Sequence, residues 1–196
     1  MKPGASRSQI IRTTENFIRH RGIRAVRMDE IVQTLGISKR TLYEMFTDKT
    51  NLITICLKEM SEKQRLRAEE FLQPGNPLQQ VCQLLRTYIK DLYRMDCDFL
   101  MDFTREPEYT ALCTENKLFW EQSFIRIFKL AIQDGYLSSS INPTLVAQHL
   151  MHTMFRTRMN DHLPHKEHYS LCLLLLRGCA TPQGIQWMDH TAAPCA

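Results

Sequence analysis

Apolar side chains recur along this chain at spacings of three and four, and no useful stretch alternates apolar with polar. Such spacing places side chains on one face of a helix, so the pattern predicts an all-α protein. Residues 7–21 carry Ile10, Ile11, Phe17 and Ile18 among Arg12, Glu15, Arg19 and Arg21, and Gly22 stands where a helix stops. A short helix fits Met28–Leu35, with Ile31, Val32 and Leu35 inward, and Gly36 permits the positive φ of a tight turn. A third fits Lys39 to about Phe46, with Leu42, Met45 and Phe46 on one side. Asp48 and Lys49 open a fourth that is expected to reach about Phe71.

"QPGNP" at 73–77 is the clearest break in the chain. Beyond it, helices fit 78–94, 97–104 (stopping before Pro107), 108–134 (ending at Gly135) and, opened by Asn142-Pro143, 143 to about 160. "HLPHKEH" (162–168) reads as a loop, 167–179 as a last helix and Pro182 onward as a tail. The predicted organisation is an N-terminal domain over 1–52, whose fourth helix bridges on to about 71. A larger helical domain covers 53–181, and a tail covers 182–196.

Charge sharpens this division. Residues 1–49 hold ten Lys and Arg against five Asp and Glu, whereas 50–196 hold fifteen against sixteen. A basic first quarter on a neutral body points to a polyanion partner for that quarter; a merely solvated basic face is the plain alternative. The seven cysteines show no CxxC spacing, and the N-terminus lacks the apolar run of a secretory leader. Reduced thiols in a cytoplasm are therefore expected. The longest apolar run, Leu171 to Leu176, is far shorter than the ~20 residues a membrane span needs, so no membrane partner is expected.

"GISKRTLYEMF" (36–46) carries the chemistry. Ser38 is a good N-cap, which puts Lys39 and Arg40 at the positive end of a helix dipole, where helix physics disfavours them. Two short helices joined by "GIS" after a packed first helix form a helix-turn-helix, whose second helix fits the DNA major groove. Phosphates and guanine edges would then supply the anions that Lys39 and Arg40 lack.

The stretch "GIRAVRMDEIVQTLGISKRTLYEMFTDKTNLI" resembles the DNA-binding domain of the TetR (tetracycline-repressor-like) transcriptional regulators. The residues that carry the likeness are Phe17, Gly22, Ile31, Gly36, Ile37, Ser38, Thr41, Leu42, Tyr43, Phe46, Lys49 and Leu52, and it spans roughly residues 7–60. The resemblance implies that Ser38, Lys39, Arg40 and Thr41 contact bases and nearby phosphates, and that Tyr43 and Lys49 reach phosphates. Leu42 and Phe46 should be core. One position departs from the family: Arg27 stands where Thr or Ser usually caps the second helix, with Glu30 at the far end of the would-be capping box. The lost cap costs ~1 kcal/mol, partly recovered by Asp29 and Glu30 in the first turn. Arg27 is a candidate phosphate contact, with a plain surface arginine as the alternative.

A small-molecule effector is expected within 78–155. Tyr88, Phe99, Phe103, Trp120 and Phe124 are its candidate apolar lining, with Asp102, His149 and His152 as polar partners. Each aromatic alone is equally explained as core. Asp98 and Asp102 form a repelling i,i+4 pair that Arg105 would relieve. Val146, Leu150 and Met154 form an apolar stripe, and "LCLLLL" at 171–176 is apolar all round, so Val146, Leu150, Met154, Leu171, Leu174 and Leu175 are expected to meet a second copy in a homodimer. No cofactor is expected. His162, His165 and His168 could hold a metal, but solvated loop histidines are the commoner case.

The sequence thus reads as a DNA-binding regulator, most simply a repressor released from its operator by an effector. Two other classes stay open: a helical ligand carrier or enzyme, and a helix-turn-helix that docks protein. No P-loop, nucleophile elbow, dinucleotide fingerprint or HExxH supports an enzyme.

Overall fold

The computed structural model describes residues 5–72, 75–161 and 163–191. Among them are ten α-helices: α1 (Arg7–Arg21), α2 (Met28–Leu35), α3 (Lys39–Met45), α4 (Lys49–Glu69), α5 (Pro77–Tyr93), α6 (Cys97–Arg105), α7 (Thr110–Gln133), α8 (Pro143–Asn160), α9 (His165–Gly178) and α10 (Pro182–Thr191). A 3-10 turn, Pro107–Tyr109, leads into α7. The described residues hold no strand, only an isolated antiparallel bridge between Leu137 and Ala180. None of these helices is long and apolar enough to cross a membrane.

Local chemistry sets the helix starts. Ser6 and Gln9 form a reciprocal capping box on α1: Gln9 N–H donates to Ser6 Oγ (3.3 Å) and Ser6 N–H to Gln9 Oε1 (2.7 Å). Asn142 Oδ1 accepts from the amides of Thr144 and Leu145 ahead of α8. Asp48 Oδ1 accepts from Asn51 N–H at 2.7 Å at the start of α4.

The chain forms two compact units that do not follow its linear order. The first holds the described residues through Gln64 together with Arg94–Asn116, so α6 joins α1–α3 and most of α4. Its core is Ile10, Ile18, Ile31, Leu42, Phe46, Leu52 and Ile53, with Phe99, Leu100 and Phe103 from α6. α6 packs on α1, and Asp96 N–H donates to the Arg19 carbonyl at 2.9 Å.

The second unit holds Arg65–Tyr93 and Lys117 onward. Here α5 packs on α8 and α9. Leu84, Leu85, Ile89, Trp120, Phe124, Phe128, Met154 and Cys172 form the core. Arg67 spans both carboxylate oxygens of buried Asp91, at 2.9 and 3.0 Å.

The predicted tail begins as a helix. Thr181 Oγ1 accepts from Gly184 N–H (3.1 Å) and donates to the Gly135 carbonyl (2.6 Å), which fixes the start of α10. A Cβ at Gly184 would lie 2.1 Å from the Tyr136 carbonyl oxygen, so only glycine fits there. Residues 192–196 lie outside the described residues. The "HLPHKEH" loop also shortens, because α9 begins at His165, directly after Pro164.

Candidate nucleic-acid interface

The turn between α2 and α3 follows from its residues. Gly36 adopts φ 63°, ψ 32°, the left-handed conformation that glycine allows cheaply. Ser38 Oγ accepts from Thr41 N–H at 3.0 Å and lies 2.9 Å from Thr41 Oγ1, so these two side chains cap α3. Leu42 and Phe46 are buried, which anchors one face of α3. The other face is open: Lys39, Arg40, Tyr43 and Glu44 are all exposed.

The two awkward cations of α3 have partners within the chain. Lys39 Nζ sits 2.8 Å from Asp29 Oδ1 on α2, and this hydrogen bond holds its pKa above the usual lysine value. Arg40 Nε donates to Glu44 Oε1 at 2.8 Å, one turn on. Both pairs are solvent-exposed, hence screened and easily exchanged for phosphate or a base edge. Asp29 is a neighbour that the motif did not reveal, because only the folded turn sets α2 against α3.

α2 lacks a side-chain cap at Arg27, as its sequence implied. Glu30 pairs instead with Arg21, at 2.6 Å. Arg27 itself is exposed. Arg7 was overlooked: its guanidinium lies 5.2 Å from the ring centroid of Phe46, the residue that ends α3. Nothing in the spacing of the sequence links those two positions.

Lys49 differs from the others. It is partly buried, and its Nζ donates to the Arg24 carbonyl at 3.1 Å. Burial lowers its pKa, against the opposing pull of Asp102, Glu108 and Glu106.

A sequence profile described as "Bacterial regulatory proteins, tetR family" matches residues 10–54. That span runs from α1 into α4 and contains the whole helix-turn-helix. Residues 10–54 therefore resemble the helix-turn-helix domain of that family.

Solved structures agree with this fold. A TetR/AcrR-family regulator from Thermobifida fusca shares 21% identity at a TM-score of 0.72, over 88% of this chain and 97% of that one. A regulator from Saccharomonospora viridis, solved in complex with choline, shares 14% identity at a TM-score of 0.75, over 94% and 96%. AibR, solved with isovaleryl coenzyme A and operator DNA, shares 17% identity at a TM-score of 0.66, over 85% and 96%. No curated protein sequence matches the chain significantly.

The predicted effector residues separate into three groups. Tyr88, Trp120 and Phe124 come together in the second unit. Tyr88 meets Trp120 edge-on at 5.0 Å between ring centroids and Phe124 at 6.1 Å. Phe99 and Phe103 belong to the first unit, stacked at 5.6 Å. Asp102 is there too, and it accepts from Arg24 N–H (2.9 Å) rather than relieving itself on Arg105. His149 and His152 are exposed on α8. An open groove of about 490 Å³ runs along α7, lined by Gln122, Ile125, Arg126, Lys129, Leu130 and Gln133, none of which was predicted.

The predicted contact residues of the dimer also separate. Met154 is 0% exposed and Leu150 is 6% exposed within one chain, so both serve their own core and cannot also meet a second copy. On α9, Cys172 and Leu176 point inward, whereas Leu174 is 66% and Leu175 44% exposed. Val146 and Leu171 are partly exposed, and Leu145 on α8 is 52% exposed.

His168 is completely buried, with Nδ1 3.2 Å from the Tyr93 hydroxyl. Tyr93 donates that proton to the Leu163 carbonyl (2.5 Å), so its oxygen accepts from His168 Nδ1–H. His168 Nε2 has no partner. Burial, then the nearby His165, lowers its pKa. His162 lies outside the described residues, and among those described no group of three His, Cys, Asp or Glu side chains could hold a metal. Burial raises the thiols of Cys56 and Cys172 to about 12 and that of Cys82 to about 11, so these three are not thiolates at neutral pH.

Proposed function

We propose that the protein is a homodimeric repressor that reads an inverted-repeat operator with two copies of α3 and releases it on binding a small molecule. The exposed face of α3, basic and held by a serine cap, is the observation that carries this reading. Arg40 and Lys39 would exchange Glu44 and Asp29 for DNA. Arg40 is assigned to a base edge, the others with Arg27, Tyr43 and the Ser38–Thr41 hydroxyls to phosphates or nearby bases. The dimer would form through the outward faces of α8 and α9, using Leu145, Val146, Leu171, Leu174 and Leu175. Two-fold symmetry then gives two reading helices, which an operator with two half-sites requires.

For the effector, the ring cluster of Tyr88, Trp120 and Phe124 between α5 and α7 supports an apolar or flat ligand. That solved relatives by fold were crystallised with choline and with isovaleryl coenzyme A supports a small-molecule effector without naming it.

A gel shift on random duplex DNA at low salt, followed by genomic footprinting of the purified protein, tests the proposal. The expected result is salt-sensitive binding that concentrates on a few inverted repeats, whose neighbouring genes indicate the effector class. No binding to any duplex would instead favour a ligand carrier, an enzyme or a protein-docking module.

A further inference from the structure

The start of α2 poses a problem that the rest of the reading unit answers. With Arg27 in place of a capping residue, no side chain fixes where α2 begins. Yet α2 packs directly against α3, so the pose of the reading helix depends on that entry.

Three residues earlier, the Arg24 backbone is gripped from two sides. Its N–H donates to Asp102 Oδ2 on α6 at 2.9 Å. Its carbonyl accepts from Lys49 Nζ, on the first residue of α4, at 3.1 Å. The Arg24 guanidinium closes the arrangement on Asp102 (3.7 Å) and on Glu106. Asp102 is only 13% exposed, so little water competes for its oxygens. Gly22 makes the approach possible: at φ 78°, any Cβ there would lie 2.8 Å from Asp102 Oδ2.

We propose that Lys49 and Asp102 are positioning residues for DNA recognition: together they clamp the Arg24 backbone, and neither touches DNA. This rests on the DNA-binding reading above. It departs from what the family resemblance implies for Lys49, namely a phosphate contact. Two observations favour the clamp. The ammonium is partly buried and already donates to a carbonyl. Its electrostatic neighbours are Asp102, Glu106 and Glu108, a setting that repels phosphate. An α6 carboxylate therefore sets operator affinity through the backbone that leads into α2.

The salt dependence of operator binding separates a clamp from a phosphate contact. The full-length wild type and the variants Lys49→Gln, Asp102→Ala and the double variant are titrated onto a selected operator duplex by fluorescence anisotropy across a salt series. Removing a phosphate contact in both protomers would flatten the slope of log K against log salt by about 1.8. The clamp predicts instead that Lys49→Gln weakens binding by about tenfold, the scale of one charge-assisted hydrogen bond, with the slope unchanged. Asp102→Ala should weaken binding similarly. That sign is diagnostic, because deleting a negative charge beside DNA should by itself strengthen binding. The double variant should lose little more than either single one, since both hold the backbone of one residue. Thermal unfolding checks that each variant is folded; if Asp102→Ala is not, Asp102→Asn replaces it and a smaller loss of the same sign is expected.

A flattened slope for Lys49→Gln, or unchanged or tighter binding for the Asp102 variant, overturns the proposal while leaving DNA binding intact. If the wild type itself binds no duplex in a salt-dependent way, the DNA-binding reading falls, and the clamp falls with it.

Discussion

Replacing Leu174 by Arg should turn the dimer into monomers without unfolding either one. Leu174 is 66% exposed on α9, so nearly all its interaction with a second copy is still to be made. Fully burying a leucine gains about 1.5–3 kcal/mol, and two-thirds of that is about 1–2 kcal/mol. A two-fold interface contains the residue twice, so the loss is about 2–4 kcal/mol per dimer. The dissociation constant should rise about 30- to 1,000-fold, before any repulsion between two arginines facing across the axis. Leu175→Arg should do less, in proportion to its 44% exposure. Leu176 is the control. It is buried in its own chain, so Leu176→Ala should cost about 2–5 kcal/mol of folding stability while folded protein still dimerises. Sedimentation velocity over a concentration series reads the first effect and thermal unfolding the second. If Leu174→Arg sediments as wild type at micromolar concentration, or if Leu176→Ala dissociates the dimer more than Leu174→Arg does, the assignment of this face is wrong.

Further outcomes follow from the reading helix and the buried histidine. Ser38→Ala removes the cap of α3 and should cost about 1 kcal/mol, seen as a lower melting temperature together with weaker operator binding. Arg27→Ala should weaken all duplexes alike and flatten the salt slope by about 1.8 per dimer, whereas Arg40→Ala should relax base preference within each half-site; sequence-blind losses from both, measured by competition binding, would undo the assignment of Arg40. His168 has a folded-state pKa below its unfolded value of about 6.5. Its contribution to stability is therefore complete above that pH and is lost as pH falls below it. Denaturant titrations should show an acid limb that His168→Leu flattens, and an unchanged limb would contradict the burial argument.

Most helix boundaries were legible because the apolar spacing agrees with local stop signals: Gly22, Gly36 and Gly135 all adopt positive φ at helix ends. α10 was missed because its apolar positions are few. It exists through Thr181, which caps it, and through Gly184, which packs against the Tyr136 carbonyl; both are tertiary facts. The turn of the reading unit was legible down to Ser38 as cap and Leu42 and Phe46 as core, because helix-turn-helix chemistry is local. The carboxylate partner of Lys39 and the alliance of α6 with α1 were not, since they join residues of different helices. Spacing likewise could not say which apolar residues of α8 turn inward. Met154 goes to the core and Leu145 stays out only because α5 and α9 pack on one particular side.

The central claim, that the exposed basic face of α3 reads DNA as a pair, is tested most directly by selection of a random duplex pool on the purified wild-type protein, with affinity for the winning site then measured across salt. The prediction is enrichment of one inverted repeat, bound by a dimer, with a slope of log K against log salt of about −4 for four phosphate contacts at Arg27 and Lys39 of both protomers. A pool that stays random, with a slope near zero, would contradict it.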